Sequence, residues 1–278
     1  MSIKGPTGAV GADEHAKHNR SLTRRKFLRR GAVAGLGVAA LYVAPSMSSV
    51  TARPAYASIT GVCIRTLECL DFDQDQDLND LANGTVIFNQ WSAYGICISA
   101  DNKGGGPDIA MIIDSEDLAK LIAANDRDLG TPNAAFGGGP GVGGGGDGDP
   151  AAGTNDTGLG NLLIISEDGV SDPPDDEAGG GHLIFTFSTP VDIQSVQLVD
   201  IDTNETTGIV CTTSAGLIPF GMLPLGNNSV QVVDINTNNV TKLEIKFPSS
   251  GAVANICFKQ PLCVLPEADQ PVCPSPPA

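Results

Sequence analysis

Alternation between apolar and polar positions is the dominant pattern of this chain. Residues 182–188 place Leu183, Phe185 and Phe187 on one face, and residues 191–202 alternate as well, ending in Asp200 and Asp202. A period of two is the signature of a strand with one buried face. Residues 162–166 are a short apolar run, as expected of a strand buried on both faces. Further strands are predicted over 58–70, 85–89, 95–99, 109–113, 208–213, 215–220, 229–235, 241–247 and 252–258. Turn signals separate them at Asn83-Gly84, Asn227-Asn228, 236–239 and 249–251. The one good helical pattern covers 115–125, with Ser115 as N-cap and acids in the first turn. Short strands at roughly ten-residue spacing predict an all-β fold. The expected architecture is an antiparallel β-sandwich or jelly roll with one short helix and long Gly/Asp-rich loops.

The first 57 residues break this pattern. Residues 21–30 read SLTRRKFLRR, with Arg24 and Arg25 adjacent, followed by a weakly apolar Gly/Ala-rich run and the small-x-small sequence Ala55-Tyr56-Ala57. This is expected to be a twin-arginine signal peptide cleaved after Ala57. A membrane span needs about 20 apolar residues, and no run of that length is expected after cleavage. The domain reading is therefore a removed leader over 1–57, a single sandwich domain over 58–262 and a Pro-rich tail over 263–278.

Removing the leader changes the charge. It holds nine of the 16 Lys+Arg and two of the 32 Asp+Glu, so seven basic and 30 acidic residues remain, a net of −23 over 221 residues. Phosphate binding needs a basic footprint, so nucleic acid is excluded as a partner. Such a surface suits divalent cations or a salty medium. All seven cysteines lie beyond the leader. In an exported protein they are expected to form disulfides, with one left over. Cys63 and Cys69 lie near one end and Cys263 and Cys273 near the other, so bridges between these groups are predicted to staple the chain ends. Cys97, Cys211 and Cys257 fall in strand-like runs and are expected to be buried. A cysteine-histidine metal cluster is disfavoured, since no Cys-x-x-Cys pair occurs and His182 is the one histidine after the leader.

Several short motifs share an order with a known group. Residues 81–99 (LANGTVIFNQWSAYGICIS), then DRDLGTPN, FGGGPGVGGGG, GNLLIISED, PDDEAGGGHLIFTFSTPVDIQSVQLVDID and SGAVANICF, resemble a β-sandwich family of secreted bacterial proteins. The resemblance spans residues 81–258. It implies a jelly-roll domain like a carbohydrate-binding module, often acidic or surface-displayed, and it carries over no catalytic residues.

The acids supply the candidate chemistry. Asp200 and Asp202 are two apart on one strand and share a face, with Glu205 just beyond. Residues 167–181 carry Glu167, Asp168, Asp172, Asp175, Asp176 and Glu177 without a Lys or Arg. Asp71, Asp73 and Asp75 begin a second cluster in the Asp-x-Asp-x-Asp pattern of an EF-hand, but the sixth position is Gln76 and the twelfth Ala82, so it is not one. Clustered carboxylates are either solvated or bridged by a hard cation such as Ca²⁺. If a cation site exists, Asp200, Asp202 and part of residues 168–177 are expected to converge on it. For a glycan ligand, such as an extracellular polysaccharide, the candidate contacts are Asn89, Gln90, Trp91 and Tyr94, with core packing as the alternative. The glycine-dominated residues 134–160 lack the ending of a phosphate-binding loop and are expected to be a surface loop. The functional expectation is a non-catalytic binding or adhesion module stabilised by Ca²⁺. An acidic structural or matrix protein is the alternative, and a glycoside hydrolase working through two carboxylates is the least favoured.

Overall fold

The computed structural model describes residues 65–133, 153–202, 208–261 and 272–275. All of them belong to one compact unit, Gly61–Ala278. The leader, Cys63, residues 134–152, Glu205 and Cys263 lie outside the described residues.

Ten strands make the fold: β1 Arg65–Leu70, β2 Val86–Ile87, β3 Ile96–Asn102, β4 Ala110–Asp114, β5 Asn161–Ile165, β6 Gly181–Val199, β7 Gly208–Thr213, β8 Gly216–Gly221, β9 Val230–Phe247 and β10 Ala252–Pro261. Every pairing is antiparallel, in the order β2-β4-β5-β10-β6-β9-β7-β8, with β1 added to β10 and β3 to β6. The antiparallel β architecture read from the alternation is the one observed.

Two long strands hold the layers together. The predicted pairs 182–188/191–202 and 229–235/241–247 are each one continuous strand, β6 and β9. Pro190 falls within β6, where its register against β9 skips from Thr186 to Val191; a residue without an N–H is tolerated at such an irregularity. Asn236 and Asn239 take left-handed φ of 47° and 57°, and the Asn239 N–H donates to Asp192 at 3.0 Å, so the expected turn is a bulge. Each bulge shifts the alternation. In β6 the buried positions run Leu183, Phe185, Phe187, Val191 and Ile193, then change phase to Val196 and Leu198. Beyond the bend β6 pairs with β10, and before it with β3.

The main core lies between the layers and is built on Phe72, Trp91, Phe185, Ile193, Leu243 and their neighbours. A second, smaller core covers the other face of β4 and β5, where Met111, Ile113, Leu162 and Ile164 meet Leu121 of helix α1 and Leu129. Both faces of β5 are therefore buried, as its continuous apolar run predicted.

Helix α1 is Leu118–Ala124, shorter than the predicted 115–125. Asp117 rather than Ser115 is the N-cap, accepting from the N–H groups of Ala119 and Lys120 at 3.1 and 3.2 Å. Ser115 is buried instead, with its hydroxyl on Thr131 at 2.6 Å and the Gly160 carbonyl at 2.7 Å. Among the described residues no helix is long and apolar enough to cross a membrane.

The observed disulfides are Cys69–Cys257 and Cys97–Cys273. Cys69 and Cys273 are bonded, but each partner is a strand cysteine that was expected to be merely buried. The register explains the first pair, because β1 lies on β10 with Cys69 directly opposite Cys257. Cys211 is buried and free, with its thiol pushed up to about 12 by burial. Disulfides of this kind persist in oxidising compartments.

Two stability outcomes follow. Phe72 is fully buried and packs edge-on against Trp91 at 5.9 Å and tilted against Phe185 at 6.5 Å. Phe72→Ala is expected to cost about 3–5 kcal/mol, read from the urea midpoint. The Cys69→Ser/Cys257→Ser double variant opens a loop spanning 188 residues and is expected to lose about 3–5 kcal/mol.

Candidate functional site: a buried carboxylate cluster

Six aspartates from three loops meet at one end of the sandwich. Asp126 and Asp128 come from the link after α1, which turns through a short 3-10 helix at Arg127–Leu129. Asp175 and Asp176 close the acidic loop after β5, pinned there by Glu167 N–H to the Asp175 carbonyl at 3.0 Å and Glu177 N–H to the Ile165 carbonyl at 2.9 Å. Asp200 and Asp202 follow the end of β6. Asp200 takes a left-handed φ of 63°, a conformation that Asp and Asn tolerate better than most side chains.

The tightest group is Asp126, Asp175 and Asp176, which offer one oxygen each within 4.8 Å of one another. Asp176 is 5% exposed and Asp126 7%. The Asp176 N–H donates to Asp126 at 3.0 Å, and Asp176 itself accepts from the Gly251 N–H at 2.9 Å. Gly251 has a φ of 147° and its Cβ position would meet the Phe247 ring at 2.7 Å, so this donor depends on glycine. Asp200 is 1% exposed. It accepts from the Asn228 N–H at 2.6 Å and the Ser250 hydroxyl at 3.1 Å.

Electrostatics set these groups apart. Burial, followed by the charge of Asp176, raises Asp126 well above the carboxylate range. Burial, with Asp128 and Asp175 nearby, raises Asp176. Burial and then the charges of Asp128 and Asp202 push Asp200 up to about 8. Asp128 and Asp175 are raised too, burial again leading. Among the described residues, Asp126, Asp128, Asp175, Asp176 and Asp200 form no ion pair with Lys, Arg or His. Buried like charges without a counter-charge must hold protons or take a cation.

Of the acids singled out in the sequence, Asp175, Asp176, Asp200 and Asp202 are brought together. Asp168 is exposed at the rim; it accepts from the Val170 N–H at 2.8 Å, and its charge contributes to raising Asp175. Glu177 turns away to Asn102 Nδ2 at 2.7 Å, and Asp172 pairs with Lys120. Asp71, Asp73 and Asp75 do not join. Asp71 and Asp75 accept from N–H groups of their own loop, and Asp73 accepts from the Asn161 N–H at 3.1 Å. The side chain of Asn79 and then its backbone lower Asp75, as in a self-capped turn. Glu205 is outside the described residues.

The proposed sugar contacts separate. Trp91 is 3% exposed against Phe72, so its ring packs the core and presents no stacking face. Gln90 folds back on the Phe88, Asn89 and Val86 backbone. Asn89 is exposed, and Tyr94 is 47% exposed. His182 faces Glu244 at 3.2 Å and Asp101 at 3.6 Å, in an ion-pair ladder shared with Lys103, Lys242 and Lys246.

Sequence reasoning missed Asp126, Asp128 and Asn228. The first two stood in DRDLGTPN, where an Asp-x-Asp spacing like that of Asp200 and Asp202 was the available signal.

No protein-family model matches the chain, and no curated protein does. Among solved structures the chain is similar to the F5/8 type C domain of a protein from Bacteroides fragilis, at 13% identity and a TM-score of 0.21, over 31% of this chain and 68% of that one.

In excess chelator the sign of the pH dependence is fixed. Asp176 and Asp200 are raised in the fold, so they hold protons that the unfolded chain has already released. Their contribution to stability is fully present below about pH 4 and is lost as pH rises toward about 8, at about 1.4 kcal/mol per pH unit for each group protonated only in the native state. Urea midpoints between pH 4 and 8 in chelator should therefore fall with rising pH, and fall less steeply in Asp200→Asn.

Proposed function

We propose that this protein is an exported, non-catalytic binding or adhesion module whose sandwich is fastened by a divalent cation. The observation that carries the reading is the burial of Asp126, Asp176 and Asp200 beside further carboxylates with no basic partner. An all-oxygen donor set favours Ca²⁺ over softer metals. Asp175 and Asp202 complete the set of carboxylates at its edge. The ion joins the link after α1, the acidic loop and the end of β6, so its effect falls on the fold first. Two disulfides and a leader with Arg24 and Arg25 support export by the twin-arginine route, with cleavage after Ala57.

The ligand class within this reading is an extracellular polysaccharide, for which Asn89 and Tyr94 supply exposed contacts. A second reading, an acidic matrix protein without a ligand site, rests on the formal net charge of −16. A glycan array separates them. Reproducible sugar binding that Tyr94→Ala weakens supports the module, and an array without binding favours the matrix protein.

The cation is tested by calorimetric titration with Ca²⁺ and by melting in Ca²⁺ and in chelator. Heat on titration and a Tm higher by several degrees in Ca²⁺ are expected; neither heat nor shift would sink the proposal. Asp176→Asn should abolish most of the Ca²⁺-dependent shift while leaving the chelated protein at least as stable as wild type, since it removes a buried charge.

A further inference from the structure

The carboxylates divide into two groups, and one ion does not account for both. Asp126, Asp175 and Asp176 share a space 4.8 Å across. Asp128, Asp200 and Asp202 form the other: Asp128 exerts the strongest charge on Asp200, and Asp202 acts on both. Asp176 lies between them, under the influence of Asp128 and acting in turn on Asp200.

Asn228 gives this second group an independent sign of a ligand. Its side chain is fully buried. Its backbone N–H donates to Asp200, and its Nδ2 donates to the carbonyls of Asp128 and Gly130. Those two carbonyl acceptors fix the orientation of the amide, because an oxygen turned toward them would be repelled. The Oδ1 of this same amide, held between Asp128 and Asp200, is left without a hydrogen-bond partner. The supporting Asn155 repeats the arrangement: it donates to Gly130 and Asn228 carbonyls at 3.0 and 3.1 Å, and its own Oδ1 is unpartnered. Buried acceptors are nearly always satisfied, by protein, water or ion. An amide oxygen beside three carboxylates is a donor set for a hard cation, which takes six to eight oxygens.

Charge points the same way. Six carboxylates carry six negative charges when ionised, so one dication would leave four of them uncompensated, with Asp200 only 1% exposed. Two dications leave two, with Asp175 and Asp202 at the more open edge.

We infer that the cluster binds two Ca²⁺ ions, the second held by Asp128, Asp200, Asp202 and the Asn228 side-chain oxygen. The inference rests on the cation reading above and deepens it. Equilibrium dialysis of the full chain against radioactive Ca²⁺ counts the ions, with native mass spectrometry as a second count. Two ions per chain are expected for wild type, and one each for Asp200→Asn and Asp126→Asn. Asp200→Asn is isosteric and keeps an acceptor for the Asn228 N–H, so in chelator it should melt no lower than wild type. Should that variant fail to fold, Asp202→Asn, at the half-buried edge, is expected to weaken binding of one ion at least tenfold and leave the other unchanged. A count of one for wild type overturns the second subsite and leaves the cation reading standing. A count of zero overturns both, and a count of two that survives Asp200→Asn and Asp202→Asn places the second ion elsewhere and overturns this assignment.

Discussion

The structure turns on the cost of placing like charges together out of water. Transfer of a single carboxylate into a low-dielectric interior is expensive, and a neighbour of the same sign raises the cost further. Asp176 and Asp200 are nonetheless among the most buried polar residues of the molecule. Their hydrogen bonds from Gly251, Asn228 and Ser250 offset part of this cost but leave the mutual repulsion intact. The repulsion makes the surrounding loops conditional. The link after α1, the acidic loop and the start of β9 converge on a point that is unfavourable unless protonated or neutralised.

Around that point the fold is ordinary in its forces and unusual in its economy of elements. Both layers draw on the same two long strands, and α1 closes the outer face of β4 and β5 with Leu121. The charged cluster lies where the ends of these parts meet, at Asp200 after β6, Asn228 before β9 and Gly251 before β10. The core brings the carboxylates together, and the carboxylates in turn govern how firmly the loops lie on it.

Much of this was legible in the sequence, for reasons that differ by residue. Period-two alternation revealed β6 and β9, because one face of each is buried. Their continuity through Pro190 and Asn236–Asn239 was not legible, because a bulge and a turn draw on the same residue types. Asp200, Asp202, Asp175 and Asp176 could be grouped from spacing and the absence of neighbouring basic residues. Asp126 and Asp128 could not, because their approach depends on a helix ending at Asn125 and on tertiary packing far along the chain. Trp91 read equally well as a sugar platform or a core residue, and Phe72 beneath it decided the matter. Cysteine spacing gave the bonded residues Cys69 and Cys273 but not their partners, which follow from strand register in one case and a long tail excursion in the other.

The pairing of β1 with β10 also has a kinetic meaning. The first described strand finds its partner 188 residues later, at Cys257 opposite Cys69. Contacts of such long sequence separation form slowly, because loop closure must precede them. A nascent chain emerging from the ribosome holds an unpaired β1 until nearly all of it has been made. Completion of the sheet is therefore an event of the finished polypeptide, and until then the exposed strand edge is the part of the molecule most in need of protection from other chains.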